Sequence, residues 1–454
     1  MSENPTHGTN GRGPAALVIG GGIAGIQAAL DIADAGFHVY LVERSPSIGG
    51  RMSQLDKTFP TLDCSACILT PKMVDAGRHP NIDLYTYSEV VQVTGEAGNF
   101  HARIRMKPRY VDPEKCRGCG LCAEACRLAG RVSSDFNAGM GQRAAVYVPF
   151  PQAVPLIYTV DPEACVYLTR GVCGKTFKCK DACTAGAIDF DQKEVFVDVE
   201  ATTIINATGF DVFDANLRPE LGYGAYRQVI TSLEFERLAS ASGPTAGKIT
   251  LDGTLPKKVV FIQCVGSRDQ SLNIPYCSRV CCMAIAKQAH LAHDRLPGAE
   301  ITVFYMDIRA FGKGFEEFYD RVRHEGVLYR RGNPSEVLRR GERLVVRAED
   351  TLLGEPVEVE ADLVVLAVGI RPRADAAEFA GMLGLAQDEN GFFQEAHPKV
   401  ATVESNRPGI LLAGCCQGPK DIPDTVAHAK AAASAALIQM AQTQKAMVTA
   451  HAAN

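Results

Sequence analysis

Residues 16–44 read ALVIGGGIAGIQAALDIADAGFHVYLVER. Ala16 to Ile19 is an apolar run of the kind that forms a buried strand, and Gly20-x-Gly22-x-x-Gly25 follows at once. A helical pattern comes next in Ile26, Ala29, Leu30, Ile32 and Ala33. Phe37 to Val42 then reads as a second strand, ending in Glu43. The stretch is a βαβ unit with a dinucleotide fingerprint. Gly20 permits the tight turn, Gly22 lets the backbone approach a pyrophosphate, and Gly25 lets the helix pack on the strand. The helix N-terminus offers free N–H groups and a positive dipole end to the phosphates. Glu43, 18 residues past Gly25, is placed to accept hydrogen bonds from a ribose. A Gly-rich turn in some other α/β fold is the bland alternative, and the surrounding strand, helix, strand and acid speak against it.

A chain of 454 residues, 46% apolar and 22% charged, has the composition of a globular protein with two or three domains. Its net charge of -5 disfavours a nucleic-acid partner. No apolar run approaches the roughly 20 residues that span a bilayer. The polar start MSENPTHGTNGRGP lacks the apolar core of an export signal. A cytoplasmic protein without direct membrane insertion is expected, with residues 1–14 as a disordered lead-in.

Sixteen cysteines in a chain that is not exported need a reason, because cytosolic thiols stay reduced. They fall in five groups: Cys64 and Cys67; Cys116, Cys119, Cys122 and Cys126; Cys165, Cys173, Cys179 and Cys183; Cys264, Cys277, Cys281 and Cys282; Cys415 and Cys416. Cys116-x2-Cys119-x2-Cys122-x3-Cys126 is the spacing of a bacterial ferredoxin half, in which three thiolates close on one cluster and the fourth reaches another. Arg127 stands where a proline is usual, and a four-ligand zinc site rarely uses this spacing. The second group repeats the theme more loosely. If the halves interleave as in two-cluster ferredoxins, Cys183 joins Cys116, Cys119 and Cys122, while Cys126 joins Cys165, Cys173 and Cys179. Cys165 fits the spacing least well. Between the halves, AAVYVPFPQAVPLIYTVD is too apolar for a plain linker and is expected to pack on its neighbours.

The third group follows the strand KKVVFIQCVG, where a second glycine fingerprint would be expected and its glycines are absent. By spacing alone these four cysteines read either as a further iron–sulfur cluster or as a buried redox-active thiol group. Adjacent Cys281 and Cys282 cannot point the same way on a helix, so a cluster there would be irregular. Cys64-x-x-Cys67 reads as a redox couple, half a metal site, or a buried structural pair, and Cys415 and Cys416 read equally as structural or redox-active.

Several stretches resemble the two-dinucleotide-binding flavoproteins: Gly49-Gly50-Arg51 after the ribose acid, Ala207-Thr208-Gly209, and NRPGILLAG ending at Gly414. The resemblance implies FAD, contacted by Gly20, Gly22, Gly25, Glu43, Arg44, Gly50, Arg51, Ala207, Gly209 and Gly414. The aspartate usual after that last glycine is Cys415 here, so Asp421 or a backbone group is expected to replace its ribityl contact, and the helix from about Thr425 directs its N-terminus at the flavin. The implied architecture is α/β: a thioredoxin-reductase-like pair of dinucleotide-binding domains with an inserted two-cluster ferredoxin module. The expected FAD domain comprises 15–106, 199–245 and 396–440. The ferredoxin-like insertion is 107–198, the second domain 246–395 with its phosphate cradle lost, and 441–454 a flexible tail.

DCSACILTPKM, VPFPQAVP, QCVGSRD, PYCSRVCCMAIAK and AGCCQGPKDIPDT together resemble the A-type subunit of heterodisulfide reductase and its bacterial relatives, from residue 15 to about 440. That resemblance implies a [4Fe–4S] cluster on Cys264, Cys277, Cys281 and Cys282, about three clusters in all, and Lys287 at the flavin's reactive edge with Glu234 as the acid beside it. It implies B- and C-type partner subunits, a hydrogenase-, formate- or NADH-linked donor, and a hetero-oligomer that is dimeric through this chain. Flavin-based electron bifurcation is the associated activity. Longer members carry an N-terminal domain and a C-terminal ferredoxin not seen in this sequence, and those electron inlets are expected to be absent or supplied by other subunits. Two rival readings are a relay component of a quinone-modifying complex and a self-contained NAD(P)H-dependent disulfide reductase using Cys64 and Cys67.

Overall fold

Ala15–Ile19 is an inner strand of a seven-stranded sheet, ordered Glu395–His397, Ala401–Ser405, Ile410–Leu412, Thr203–Asn206, Ala15–Ile19, His38–Glu43 and Ile82–Thr86. The computed structural model describes residues 13–452. The last five of those strands run parallel. A parallel sheet is covered on both faces, which is why its strands read as continuous apolar runs. Ala16, Val18, Val39 and Leu41 enter one core with the helix Ile23–Asp34 and the C-terminal helix Ile422–Ala452. Leu17, Ile19, Tyr40 and Val42 enter the opposite core, against the three-stranded sheet of Ser88–Glu96, Asn99–Met106 and Val195–Ala201.

The ferredoxin-like segment is a loop of that three-stranded sheet. Met106 and Val195 are register partners on adjacent antiparallel strands, so the chain leaves and re-enters at one point. The returning strand therefore starts at Val195, four residues ahead of the expected Val199. Inside the segment a bridge between Val111 and Ile188 ties its two ends, and Cys122, Cys165 and Cys179 sit in its small core. The apolar stretch between its halves packs on the flavin domain: Phe150 and Ala153 join that domain's core, and Ile48 N–H donates to the Val154 carbonyl at 3.0 Å.

The second domain is a five-stranded parallel sheet ordered Val229–Thr231, Leu363–Val368, Lys258–Val265, Glu300–Tyr305 and Leu328–Arg331. Two expected boundaries move. Val229–Thr231 and the helix Ser232–Ala239 belong here and not to the flavin domain, because Ile230, Phe235 and Leu238 bury into this domain's core. Conversely the helix Ala376–Leu383 packs with Leu17 and Tyr40 on the first sheet, so the flavin domain resumes before residue 396. Asp211–Val212 pairs with Ile370–Arg371 where the chain crosses between domains.

The C-terminal helix starts at Ile422, earlier than Thr425, since Pro423 is tolerated in a first turn. It continues to Ala452, so the described part of the expected tail 441–454 is helical. Of the expected lead-in, residues 1–12 lie outside the described residues. Among the described residues no helix is long and apolar enough to cross a membrane.

Candidate functional site

A cavity of about 1050 Å³ opens over the C-terminal ends of the first sheet's strands. Gly20, Gly22, Glu43, Arg44, Gly50, Arg51, Ala207, Gly209, Asp421 and Thr425 all line it. The glycines act as their spacing predicts. A Cβ on Gly25 would stand 1.8 Å from the Gly20 carbonyl oxygen, so the helix packs there only without a side chain. A Cβ on Gly22 would meet nothing nearer than the Gly50 Cα at 4.0 Å, which leaves this backbone open to the cavity. The Gly21 N–H donates to Glu43 Oε2 and the Ser45 N–H to Oε1, both at 2.7 Å. Glu43 thus ties the glycine turn to the second strand while facing the cavity. The volume and the bare fingerprint backbone fit a dinucleotide such as FAD.

At the other end Ala413, Cys415 and Lys420 complete the wall. Gly25 and Gly414 do not line it. Gly414 has φ +74°, and a Cβ there would lie 2.8 Å from the Ala24 Cβ, so its part is close packing against the fingerprint helix. Asp421 precedes the C-terminal helix and accepts the Asp424 N–H through Oδ1 at 2.8 Å, an N-cap bond. Burial raises its carboxyl above the usual range. Cys416 is buried, with its thiol pushed up to about 12 by burial, and it donates to the Asn206 carbonyl at 3.1 Å. That describes a packed structural thiol.

Lys287 reaches the cavity from the second domain. Its Nζ lies 2.5 Å from Glu236 Oε1 and donates to the Lys57 carbonyl at 2.9 Å. The expected acid is Glu234, and the structure corrects this. Glu234 is the third residue of the helix Ser232–Ala239 and closes a capping box with Thr231. Its carboxylate accepts the Thr231 N–H at 2.5 Å and the Tyr223 hydroxyl at 3.1 Å. Two residues on, Glu236 points to the opposite side, toward Lys287. The T-S-L-E signature is present in the sequence and assigns Glu234 to the cap.

The third cysteine group gathers at the first turn of the helix Cys281–Arg295. Burial pushes the Cys264 thiol up to about 12, and the neighbouring Cys282 and Cys277 add to it. Cys281 is raised by burial and then by Cys264, Cys282 and Cys277. Three thiols gathered with Cys277 at the start of one helix fit an iron centre, whose positive charge would favour their thiolate forms. The same helix presents Ala284, Lys287 and Gln288 to the cavity.

The ferredoxin-like cysteines lie in two neighbourhoods of four. Burial pushes Cys122 up to about 12, with Cys116, Cys183 and Cys119 as further neighbours. Cys179 rises to about 11 through burial, then through Cys126, Cys165 and Cys173. Cys126, Cys165, Cys173 and Cys179 wall one small cavity. Cys165 therefore belongs to its set, and a repeat in the sequence carries the signal that spacing alone misses: VDPEKC at 111–116 recurs as VDPEAC at 160–165. Both copies fold alike, with Cys116 N–H on the Asp112 carbonyl at 3.0 Å and Cys165 N–H on the Asp161 carbonyl at 2.9 Å. Among the described residues no three His, Cys, Asp or Glu side chains converge as a single metal ion requires.

Cys64 and Cys67 lie outside the cavity wall. Cys64 caps the helix Ser65–Arg78, its sulfur accepting the Cys67 N–H at 3.3 Å, and Cys67 is exposed.

Known proteins share these features. A family model for FAD dependent oxidoreductases matches residues 16–66, and one for 4Fe-4S binding domains matches residues 109–127. The chain is 53% identical over 429 residues to the A-type subunit of H(2):CoB-CoM heterodisulfide,ferredoxin reductase of Methanothermobacter marburgensis, covering 94% of this chain and 64% of the relative. It is 54% identical over 433 residues to the A-type iron-sulfur subunit of CoB--CoM heterodisulfide reductase of Methanocaldococcus jannaschii, with the same coverage. It is 45% identical over 423 residues to the A-type subunit of Ferredoxin:CoB-CoM heterodisulfide reductase of Methanosarcina mazei, covering 92% of this chain and 52% of that one. The chain thus spans less than two thirds of the length of these relatives. Among solved structures it resembles the thioredoxin reductases of Lactococcus lactis (TM-score 0.52, 16% identity, 94% of this chain and 99% of that one) and T. acidophilum (0.51, 13%, 95% and 98%), which shows a shared fold.

Proposed function

The chain belongs to the family of the A-type subunits of heterodisulfide reductase, and from that premise we propose that it is an FAD and iron–sulfur electron-transfer subunit of a heterodisulfide-reductase-like complex. One observation carries the reading. The helix Cys281–Arg295 gathers four thiols at its first turn and presents Lys287 to the dinucleotide cavity two turns further on. FAD exchanges electron pairs and [4Fe–4S] clusters single electrons, so a chain that holds both side by side can divide a two-electron donor's electrons.

The residues have separate tasks. Gly20 and Gly22 admit the pyrophosphate to bare backbone, and Glu43 meets the ribose. Lys287 sets a fixed positive charge at the cavity wall, where it would favour an anionic ring. Its partner Glu236 holds the ammonium in place. In the second domain the strand Lys258–Val265 carries Cys264 near its end and is not followed by a glycine fingerprint, which argues against a nicotinamide dinucleotide bound there. Cys116, Cys119, Cys122 and Cys183 would hold one cluster, Cys126, Cys165, Cys173 and Cys179 a second, and Cys264, Cys277, Cys281 and Cys282 a third.

Electron bifurcation at the flavin, coupled to disulfide reduction by B- and C-type partners, is the finer reading. Its donor would be a hydrogenase-, formate- or NADH-linked protein. Crossed one-electron potentials of the flavin test bifurcation, and anaerobic purification with partners, followed by iron and flavin analysis, tests the cofactor content. The expected content is about twelve irons and one FAD per chain. About eight irons or fewer would remove the third cluster, and rapid bleaching of the flavin by NADH in the isolated chain would favour a self-contained reductase.

A further inference from the structure

The thiol set of the second domain has a guanidinium beside it with one arm unused. Arg268 Nη2 donates to Asp307 Oδ2 at 2.8 Å, while Nη1 is buried with no hydrogen-bond partner. The charge of Arg268 acts on Cys264, Cys277 and Cys282. Its placement is built in on both sides. The Arg268 N–H donates to the Tyr276 carbonyl at 2.8 Å, one residue before Cys277, which folds the loop from Cys264 back on itself. Arg268 and Cys264 take left-handed φ values of 56° and 61°, a conformation that non-glycine residues adopt only when the surrounding structure imposes it. Asp307 holds the other side, with its carboxylate on Arg268 and its carbonyl accepting from Cys282 Sγ at 3.5 Å.

We propose that Arg268 donates through Nη1 to a sulfur of the iron–sulfur cluster held by Cys264, Cys277, Cys281 and Cys282, and that this cation raises the cluster's reduction potential. The proposal rests on the cluster assignment made above. A reduced cluster carries one more negative charge than an oxidised one, so a donor buried at Nη1 on a half-buried cation favours the reduced form. Asp307 is the positioning residue: it takes Nη2 and leaves the buried Nη1 without a partner. Arg309 also acts on Cys264 and Cys282, but it is exposed and its charge is screened by water. Two cations near one set of thiols thus differ in burial, and that difference makes the proposal testable.

The experiment is a redox titration of the full chain, purified anaerobically with its partners and followed by EPR, for the wild type and for Arg268→Met, Arg268→Lys and Arg309→Gln. In Arg268→Met the reduced-to-oxidised ratio of this cluster at fixed potential should fall about tenfold, a drop of about 59 mV for a one-electron couple. Arg268→Lys should recover part of it, and Arg309→Gln should shift it less than Arg268→Met. An unchanged midpoint in Arg268→Met with full iron, or an equal shift in Arg309→Gln, overturns the proposal. If Arg268→Met fails to assemble the cluster, Arg268→Lys against Arg268→Gln decides, and equal midpoints overturn it. Iron analysis separates the two levels. About eight irons in the wild type removes the cluster itself, while about twelve with an unmoved midpoint removes only the role of Arg268.

Discussion

Lys287 Nζ and Glu236 Oε1 stand 2.5 Å apart with side chains only 2% and 3% exposed, a buried ion pair contributed by two helices of the second domain. Glu236 also accepts the Asp56 N–H at 3.0 Å and the Gln288 amide at 2.6 Å. The carboxylate therefore has neutral donors to fall back on, while the ammonium has only the Lys57 carbonyl.

Removing the acid should accordingly hurt more than removing the base. Glu236→Ala is expected to cost about 3–5 kcal/mol, since it strands a buried charge. Lys287→Met should cost less, and Glu234→Ala only about 1 kcal/mol, the value of a helix cap. Urea unfolding of the three variants measures this, and a larger loss for Glu234→Ala than for Glu236→Ala would contradict the assignment of the pair.

Gly22→Ala and Gly25→Ala should separate cofactor binding from folding. The Gly25 Cβ would meet backbone at 1.8 Å, so that variant should fail to fold or lose much of its thermal stability. The Gly22 Cβ has room in the protein but projects where the cofactor's phosphates would approach. Gly22→Ala should be folded by circular dichroism and purify with little FAD. A full complement of FAD would place the pyrophosphate elsewhere.

Interleaving of the ferredoxin-like cysteines is open to an iron count on double variants. Cys183→Ser with Cys116→Ser should leave about eight irons, as either single variant does, because both serve one cluster. Cys183→Ser with Cys126→Ser should leave about four, because they serve different clusters. The reverse pattern would mean that each sequence half closes its own cluster.

His428 makes the loop at Gly414 sensitive to acid. The Gly414 N–H donates to His428 Nδ1 at 3.0 Å, and Nε2 meets the Thr402 carbonyl at 3.0 Å. A carbonyl only accepts, so Nε2 carries the proton and Nδ1 is bare. Burial holds the ring's pKa below its ordinary 6.5. The unfolded chain thus takes up a proton before the folded one does. The resulting stability is full above about pH 6.5 and declines as the pH falls through that value and below. Thermal unfolding from about pH 7.5 to about pH 5.5 should show this decline, and His428→Asn should flatten it. Equal slopes in the two proteins would exclude His428 as the source.

Local sequence determined the parts whose chemistry is local. The glycine triplet with its strand, helix and acid specified a dinucleotide turn, because backbone approach and helix–strand contact are settled within about thirty residues. The cysteine spacing of 116–126 specified a cluster loop for the same reason. Tertiary structure decided what depends on elements far apart in the chain. Which acid meets Lys287 was set by the phase of a helix whose first turn is pinned by Thr231, and that phase sends Glu236 and not Glu234 toward the cavity. The boundary of the second domain was set by which sheet buries Val229–Thr231, a run apolar enough for either. Cys183 lies among Cys116, Cys119 and Cys122, and Cys126 among Cys165, Cys173 and Cys179, neighbours drawn from opposite halves of the insertion, and Arg268 meets Asp307 thirty-nine residues away. Side chains that meet across such distances are paired by packing, which no local pattern records.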